Sequence, residues 1–219
     1  MWRSAFTDLL GGHPLGLVDE GVYAWRGRWR SRFPGASHLV LDIGTWDAAL
    51  IAQVAPMRKE VGFIGLDWRA RPLFHAAQRL TETGAENVCL MQAQAREVGR
   101  IVGEGELDEI WVFHPEPFED ENVRHHRLLT RDYLQTLVSL VNPNGKVVIK
   151  TDHAEYAAEL EATLGAFRVV AHSRDFHRDE KLLKRLAGRI FAGEATTYER
   201  RYQRRRTPIH YFELATLES

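Results

Sequence analysis

From His38 onward, short apolar runs rich in β-branched residues alternate with segments whose apolar positions recur at helical spacing. "HLVLDIG" has the pattern of a strand closing on glycine, and "WDAALIAQVAP" after it has helical spacing and a proline stop. "VGFIGLDW" and "PLFHAAQRLTETGA" repeat the unit, with Pro72 suited to a first helical turn and Gly84 to the end. "NVCLMQAQ" with "AREVGRIV" repeats it more weakly. "LDEIWVFHP" predicts a fourth strand, and "HRLLTRDYLQTLVSLV" sets Leu128, Leu129, Tyr133, Leu134, Leu137 and Leu140 on one helical face before the turn "NPNG". "KVVIKTD" is a fifth strand, ahead of the amphipathic "HAEYAAELEATLGA"; "FRVVAHSRDF", the helical "DEKLLKRLAGRIF" and a strand in "TPIHYFEL" complete the order. This alternation predicts an α/β fold, a mostly parallel sheet with helices on both faces.

In such a sheet ligands lie beyond the carboxyl ends of the strands. Those ends are Asp42 with Gly44, Asp67, Gln94, Glu116, and Thr151 with Asp152. "DIGTWDA" opens a helix, where backbone N–H groups and the helix dipole can hold a polar ligand, although only Gly44 stands where nucleotide-binding loops carry two or three glycines. Asp67 follows at roughly the 20-residue spacing of an acid that binds ribose hydroxyls. Together they point to an adenosine-containing cofactor.

Composition narrows the class. The 219 residues, 44% hydrophobic and 27% charged, fit one globular domain, expected over residues 38–219, with residues 1–37 a basic and aromatic extension packed on it. No run approaches the ~20 apolar residues of a membrane span, and "MWRSAFTDLLGG" lacks the apolar run of a secretory signal, so a cytoplasmic protein without a membrane partner is expected. A net charge of −1 exerts no global pull on polyanions, which leaves local charge to make that case. "YAWRGRWRSRF" and "YERRYQRRR" have the composition of phosphate contacts with base stacking, and are expected to flank one active site; either run alone also reads as a solvated segment with its aromatics packed inward. Cys89 in "NVCLM" reads as a core thiol, and ten histidines without an H-E-x-x-H or Cys/His pairing make a metal site unexpected. The helical run at residues 179–191 either shapes an acceptor pocket or covers an apolar sheet face.

The order "LDIG", "IGLDW", "NVCLMQAQAREV", "VFHPEPF", "VVIKTDHAEYA" and "TTYERR" resembles the bacterial tRNA (guanine-N(7)) methyltransferase family over residues 39–202. The resemblance implies a Rossmann-like class I fold, S-adenosylmethionine as methyl donor, and tRNA as partner of a monomer or homodimer. Asp42, Gly44 and Asp67 match the family's cofactor places, and Asp152, Thr196 and Glu199 the places that hold guanine. Trp68, Gln94, Ala95 and His114 join the expected cofactor contacts, Asp120 the acceptor side, and Glu116 with Asp152 the catalytic pair. Gln94 and Glu116 stand where the family has Asp, Phe118 where it has Trp, Tyr198 where it has Phe, and Trp46 and Ala48 replace glycines. Glu119, Asp120, His125, His126 and Arg127 stand where the family has a basic turn, and Glu119, Asp120 and Glu121 would repel phosphates. Pro115 and Pro117 restrict the backbone around Glu116, presenting its carboxylate at a fixed angle.

Three readings follow: a tRNA guanine-N(7) methyltransferase; an enzyme of the same fold acting on a small guanine-like or other nitrogen heterocycle; and a degenerate member that binds RNA or protein without transferring methyl groups.

Overall fold

A computed structural model describes residues 4–191 and 194–216, so the outer ends of both expected units, 1–37 and 38–219, lie outside the described residues. Five parallel strands form the centre: β2 (His38–Ile43), β3 (Val61–Asp67), β4 (Val88–Gln92), β5 (Leu107–Phe113) and β6 (Val141–Thr151). With β1 (Gly16–Leu17), β7 (Arg168–Ser173) and β8 (His210–Ala215) the order across the sheet is β1-β4-β3-β2-β5-β6-β8-β7. β8 runs antiparallel to both its neighbours. The two-residue β1 pairs with β4 and carries the sheet into the amino-terminal segment, an addition that the apolar pattern does not announce.

Alternation along the strands assigns each face its helices. Leu39, Leu41 and Ile43 face one core with Val147 and Ile149, beneath α2 (Trp29–Arg32), α5 (Val98–Ile101), α6 (Arg131–Leu140) and α7 (Ala154–Thr163). Val40, Trp111, Phe113 and Val148 face the other, beneath α1 (Ala5–Gly11), α3 (Ala49–Val54), α4 (Ala70–Glu82), α8 (Glu180–Arg185) and α9 (Thr197–Arg205). Leu182, Leu186, Ile190 and Phe191 are buried in that second core, so residues 179–191 cover a sheet face.

Two local expectations change. Leu128 and Leu129 precede α6 rather than belonging to it: the helix starts after Thr130, whose hydroxyl caps the Tyr133 amide, and the Leu129 amide donates to the Tyr156 hydroxyl at 2.8 Å. The "NPNG" turn bulges out within β6, since pairing passes from Leu107 with Val141 to Glu109 with Lys146.

The larger correction concerns "YAWRGRWRSRF". Trp29 is fully buried, and its indole N–H donates to the Ile101 carbonyl at 3.0 Å, while Arg30 pairs with Asp108 at the start of β5. Glu106 accepts the backbone amides of Gly27, Trp29 and Gly103. These anchors sit at the amino ends of the strands, opposite the carboxyl ends where the site was sought. The run is a fastening for the amino-terminal segment and does not flank the site. Truncating Trp29 to Ala should cost about 3–5 kcal/mol in chemical denaturation, whereas Arg30→Ala, an exposed pair, should cost at most about 1 kcal/mol. The reverse ranking would return the run to a binding role.

Candidate active site

The sheet reverses its winding between β2 and β5, and the loops after these strands open a crevice at their carboxyl ends. Gly44, at φ +80 with open space where a Cβ would stand, turns the chain out of β2. Trp46 (φ +51), Ala48 (+47), His114 (+53) and Phe118 (+43) also hold left-handed backbone. Of six such non-glycine residues in the described chain, four therefore lie in the two loops that border the crevice. Each costs about 1–2 kcal/mol, and strain of this kind collects where surrounding contacts enforce a functional geometry.

Asp67 supplies much of that enforcement. Its Oδ2 accepts the Trp46 amide at 3.1 Å and its Oδ1 the Arg69 amide at 2.9 Å, tying together the loops after β2 and β3. The Arg69 guanidinium stacks between the Trp46 and Trp68 rings, 4.6 Å from each centroid. A cavity at this junction is lined by Asp42, Gly44, Thr45, Trp46, Phe113 and residues 196–198, among others. Burial pushes the Asp42 carboxyl up to about 7, the nearby Thr45 hydroxyl opposing the rise and the neighbouring Asp67 charge adding to it. Burial likewise raises Asp67 despite its amide donors. Two buried carboxylates that resist ionisation, beside an open glycine turn, fit a cofactor bearing positive charge and a ribose.

At the ends of β5 and β6 lies a polar network. His114 Nδ1 is 2.9 Å from Asp152 Oδ1, and the His114 ring lies tilted against Tyr202 with centroids 5.2 Å apart. Burial works to raise Asp152, but the His114 and Tyr202 hydrogen bonds outweigh it and hold the carboxylate below its ordinary range. His114 Nε2 is buried without a partner among the described residues. Beneath this, Lys150 is fully buried, 2.9 Å from Glu199 Oε1 and ringed by Phe113, Phe176 and Phe191. His177 Nε2 reaches the same Oε1 at 3.0 Å.

The expected residues therefore divide. Asp42 and Gly44 line the cavity, Asp67 holds its Trp46 loop, and His114 and Asp152 meet beside it at the ends of β5 and β6. Thr196 lines the cavity and caps α9 through the Glu199 amide at 3.0 Å. Glu199 is corrected from an open acceptor contact to one half of a buried ion pair, with only Oε2 unpartnered. Trp68, Gln94, Glu116 and Asp120 are exposed, and Ala95 accepts the Tyr133 hydroxyl through its carbonyl. Glu116 makes no hydrogen bond or ion pair among the described residues; its loop is placed instead by Arg127, buried over the Tyr156 ring, which donates to the Pro117 carbonyl and pairs with Glu159. Asp120 accepts the Asn122 amide in an Asx turn, and Glu119 lies 3.7 Å from His153.

Lys150, His177, Tyr202 and Arg127 are not among the residues expected at the site. Lys150 left one signal: alternation puts it on the buried face with Val148, where a lysine requires an anion. Thr196-x-x-Glu199 is also a helix-start pattern. Among the described residues no helix is long and apolar enough to cross a membrane, and no cluster suits a metal.

The Asp42 carboxyl leads to a stability prediction. Its folded value near 7 lies above the ordinary 3.8, so its contribution is fully present below about 3.8 and is lost as pH rises through about 7. The gap corresponds to about 4 kcal/mol. Denaturation between pH 4 and 8 should show the native protein losing stability relative to Asp42→Asn by an amount of this order; parallel pH curves would show that Asp42 ionises freely.

Comparison with known proteins identifies the family. Residues 36–212 match a family model described as "Putative methyltransferase". A tRNA (guanine-N(7)-)-methyltransferase of Geobacillus thermodenitrificans is 26% identical over 208 residues, 94% of this chain and 92% of that one. One of Christiangramia forsetii is 25% identical over 195 residues, 89% and 86% of the two chains. A bifunctional glycosyltransferase/methyltransferase of Fusobacterium nucleatum is 28% identical over 159 residues, 71% of this chain, which spans only 24% of that longer protein. Among solved structures the 16S rRNA methyltransferase KamB superposes with a TM-score of 0.61 at 15% identity, covering 87% of this chain and 94% of that one, a likeness of fold. The glycine turn after β2, the acid ending β3 and a match over most of the chain make this protein a member of that methyltransferase family, with S-adenosylmethionine as its methyl donor.

Proposed function

We propose that the protein methylates N(7) of a guanine in tRNA. The observation that carries this reading is the surface of α9 beside the crevice. The side chains of Arg201, Arg204, Arg205 and Arg206 are exposed there and make no hydrogen bond or ion pair among the described residues. Tyr198, 43% exposed, stands at the cavity rim at the head of the same helix. Unpaired cations next to an exposed ring suit a backbone phosphate and a stacked base. The names of the Geobacillus and Christiangramia relatives support the same acceptor.

The cofactor, when bound, supplies an electrophilic methyl group. N(7) of guanine already carries a free lone pair, so the residues have to position rather than deprotonate it, and alignment can supply up to about 7–11 kcal/mol of a barrier. Asp152, held ionised by His114 and Tyr202, can accept N–H donors of the base, and Glu116 projects its free carboxylate from the Arg127-braced loop on the same side. Asp42 and Asp67 would hold the amino and ribose groups of the cofactor.

One observation favours a small nitrogen heterocycle instead: Glu119, Asp120 and Glu121 are exposed in the loop after β5, where an RNA backbone would meet repulsion. Incubation with methyl-labelled S-adenosylmethionine and unmodified tRNA, followed by cleavage at N(7)-methylguanine, separates the two. Label at a single guanine is expected; no label with cofactor binding intact would sink the tRNA reading. Replacing Arg204 and Arg205 by Ala should weaken tRNA binding and reduce the slope of log affinity against log salt by roughly 1–2. An unchanged slope would remove α9 from the RNA surface.

A further inference from the structure

α9 is docked in an unusual way: its one fully buried residue is a glutamate. Five of its nine residues are Arg or Gln, and most of the helix faces solvent. Apart from Tyr202, which packs on the apolar core, its hold on the body is polar. Glu199 Oε1 takes Lys150 at 2.9 Å and His177 at 3.0 Å, Gln203 meets the His177 ring, and Arg200 donates to the Gln53 side chain at 3.1 Å and to the Ala195 carbonyl at 2.8 Å. The same stretch supplies Thr196, Thr197 and Tyr198 to the cavity wall and Tyr202 to His114 and Asp152.

We propose that Lys150 is a positioning residue of the methyl-transfer site: through its buried bond to Glu199 it holds α9 against the sheet and so sets the cavity wall formed by residues 196–198. The family resemblance would make Glu199 an acceptor contact; the geometry commits its Oε1 to a latch. An apolar interface fixes a helix by area and tolerates sliding, whereas one carboxylate between an ammonium and an imidazole fixes depth and rotation together. Lys150 lies at the end of β6, two residues before Asp152, so the latch and the acceptor-side carboxylate share one rigid strand. The three phenylalanine rings around Lys150 exclude water from the pair, which keeps the bond strong and makes its loss costly.

The inference rests on the reading that this cavity receives the cofactor, and not on which acceptor is methylated. Lys150→Met leaves Glu199 buried without its cation, and Lys150→Met/Glu199→Leu removes both charges, a replacement that buried pairs often tolerate without loss of stability. Hydrogen exchange of the full chain should show residues 197–205 losing about tenfold protection in the single variant while β2 and β5 stay protected. In the double variant the melting temperature should return close to that of the native chain, while the Kd for S-adenosylmethionine stays raised by about tenfold, because misplacing a site wall costs binding even when the fold is intact. A double variant that regains the native Kd, or a single variant with α9 still protected, would reduce the pair to a stabilising contact and overturn the proposal. Should the single variant fail to fold, the double variant's Kd decides alone. Native protein that binds S-adenosylmethionine but labels no tRNA would end the tRNA reading and leave the latch to stand or fall on these measurements.

Discussion

The reversal of strand order between β2 and β5 is the constraint from which the site follows. On one side of that line the chain winds toward β4, on the other toward β6, and the right-handed crossovers leave the ends of β2 and β5 without a connection passing over them. Loops can carry chemistry there without disturbing strand pairing. The buried acid Asp42 and the glycine turn line this opening, Asp67 holds its Trp46 loop, and the His114–Asp152 contact lies beside it at the ends of β5 and β6.

Charge is buried along the same face. Asp42, Glu109, Lys150 and Glu213 share it with the Val40, Trp111 and Val148 core. At the amino end Arg189 bridges Glu109 and Glu213, at 2.9 and 3.3 Å, and at the carboxyl end Lys150 takes Glu199. In each case a late segment of the chain is pinned to the sheet by a partner that exists only when the segment is seated correctly. A buried charge left alone is costly, which makes such pairs selective for one arrangement.

The loops around the crevice reach a glycine-like backbone with few glycines. Trp46 and Ala48 adopt positive φ, and the Trp46 amide is held by Asp67 while its ring rests on Arg69. The left-handed backbone of this glycine-poor turn is thus kept by contacts across two loops. Trp46 adds a wall that glycine could not.

Local pattern sufficed for the strands, the α/β class and the acids at strand ends, because period-2 and period-3.6 repeats and a spacing of about 20 residues are written within single βα units. Asp42, Gly44 and Asp67 were legible for that reason. Which basic run faces the site was not: Trp29 and the arginines around it have the composition of a nucleic-acid contact, yet Glu106 and Asp108, far along the chain, draw them to the opposite end of the sheet. Nor could order in the chain reveal that Glu199 meets Lys150 and His177, or that Arg127 braces the prolines beside Glu116. Periodicity reports which face a residue takes within its own element. Only the crossing of elements distant in sequence decides which buried charge meets which, and those meetings set the shape of the site.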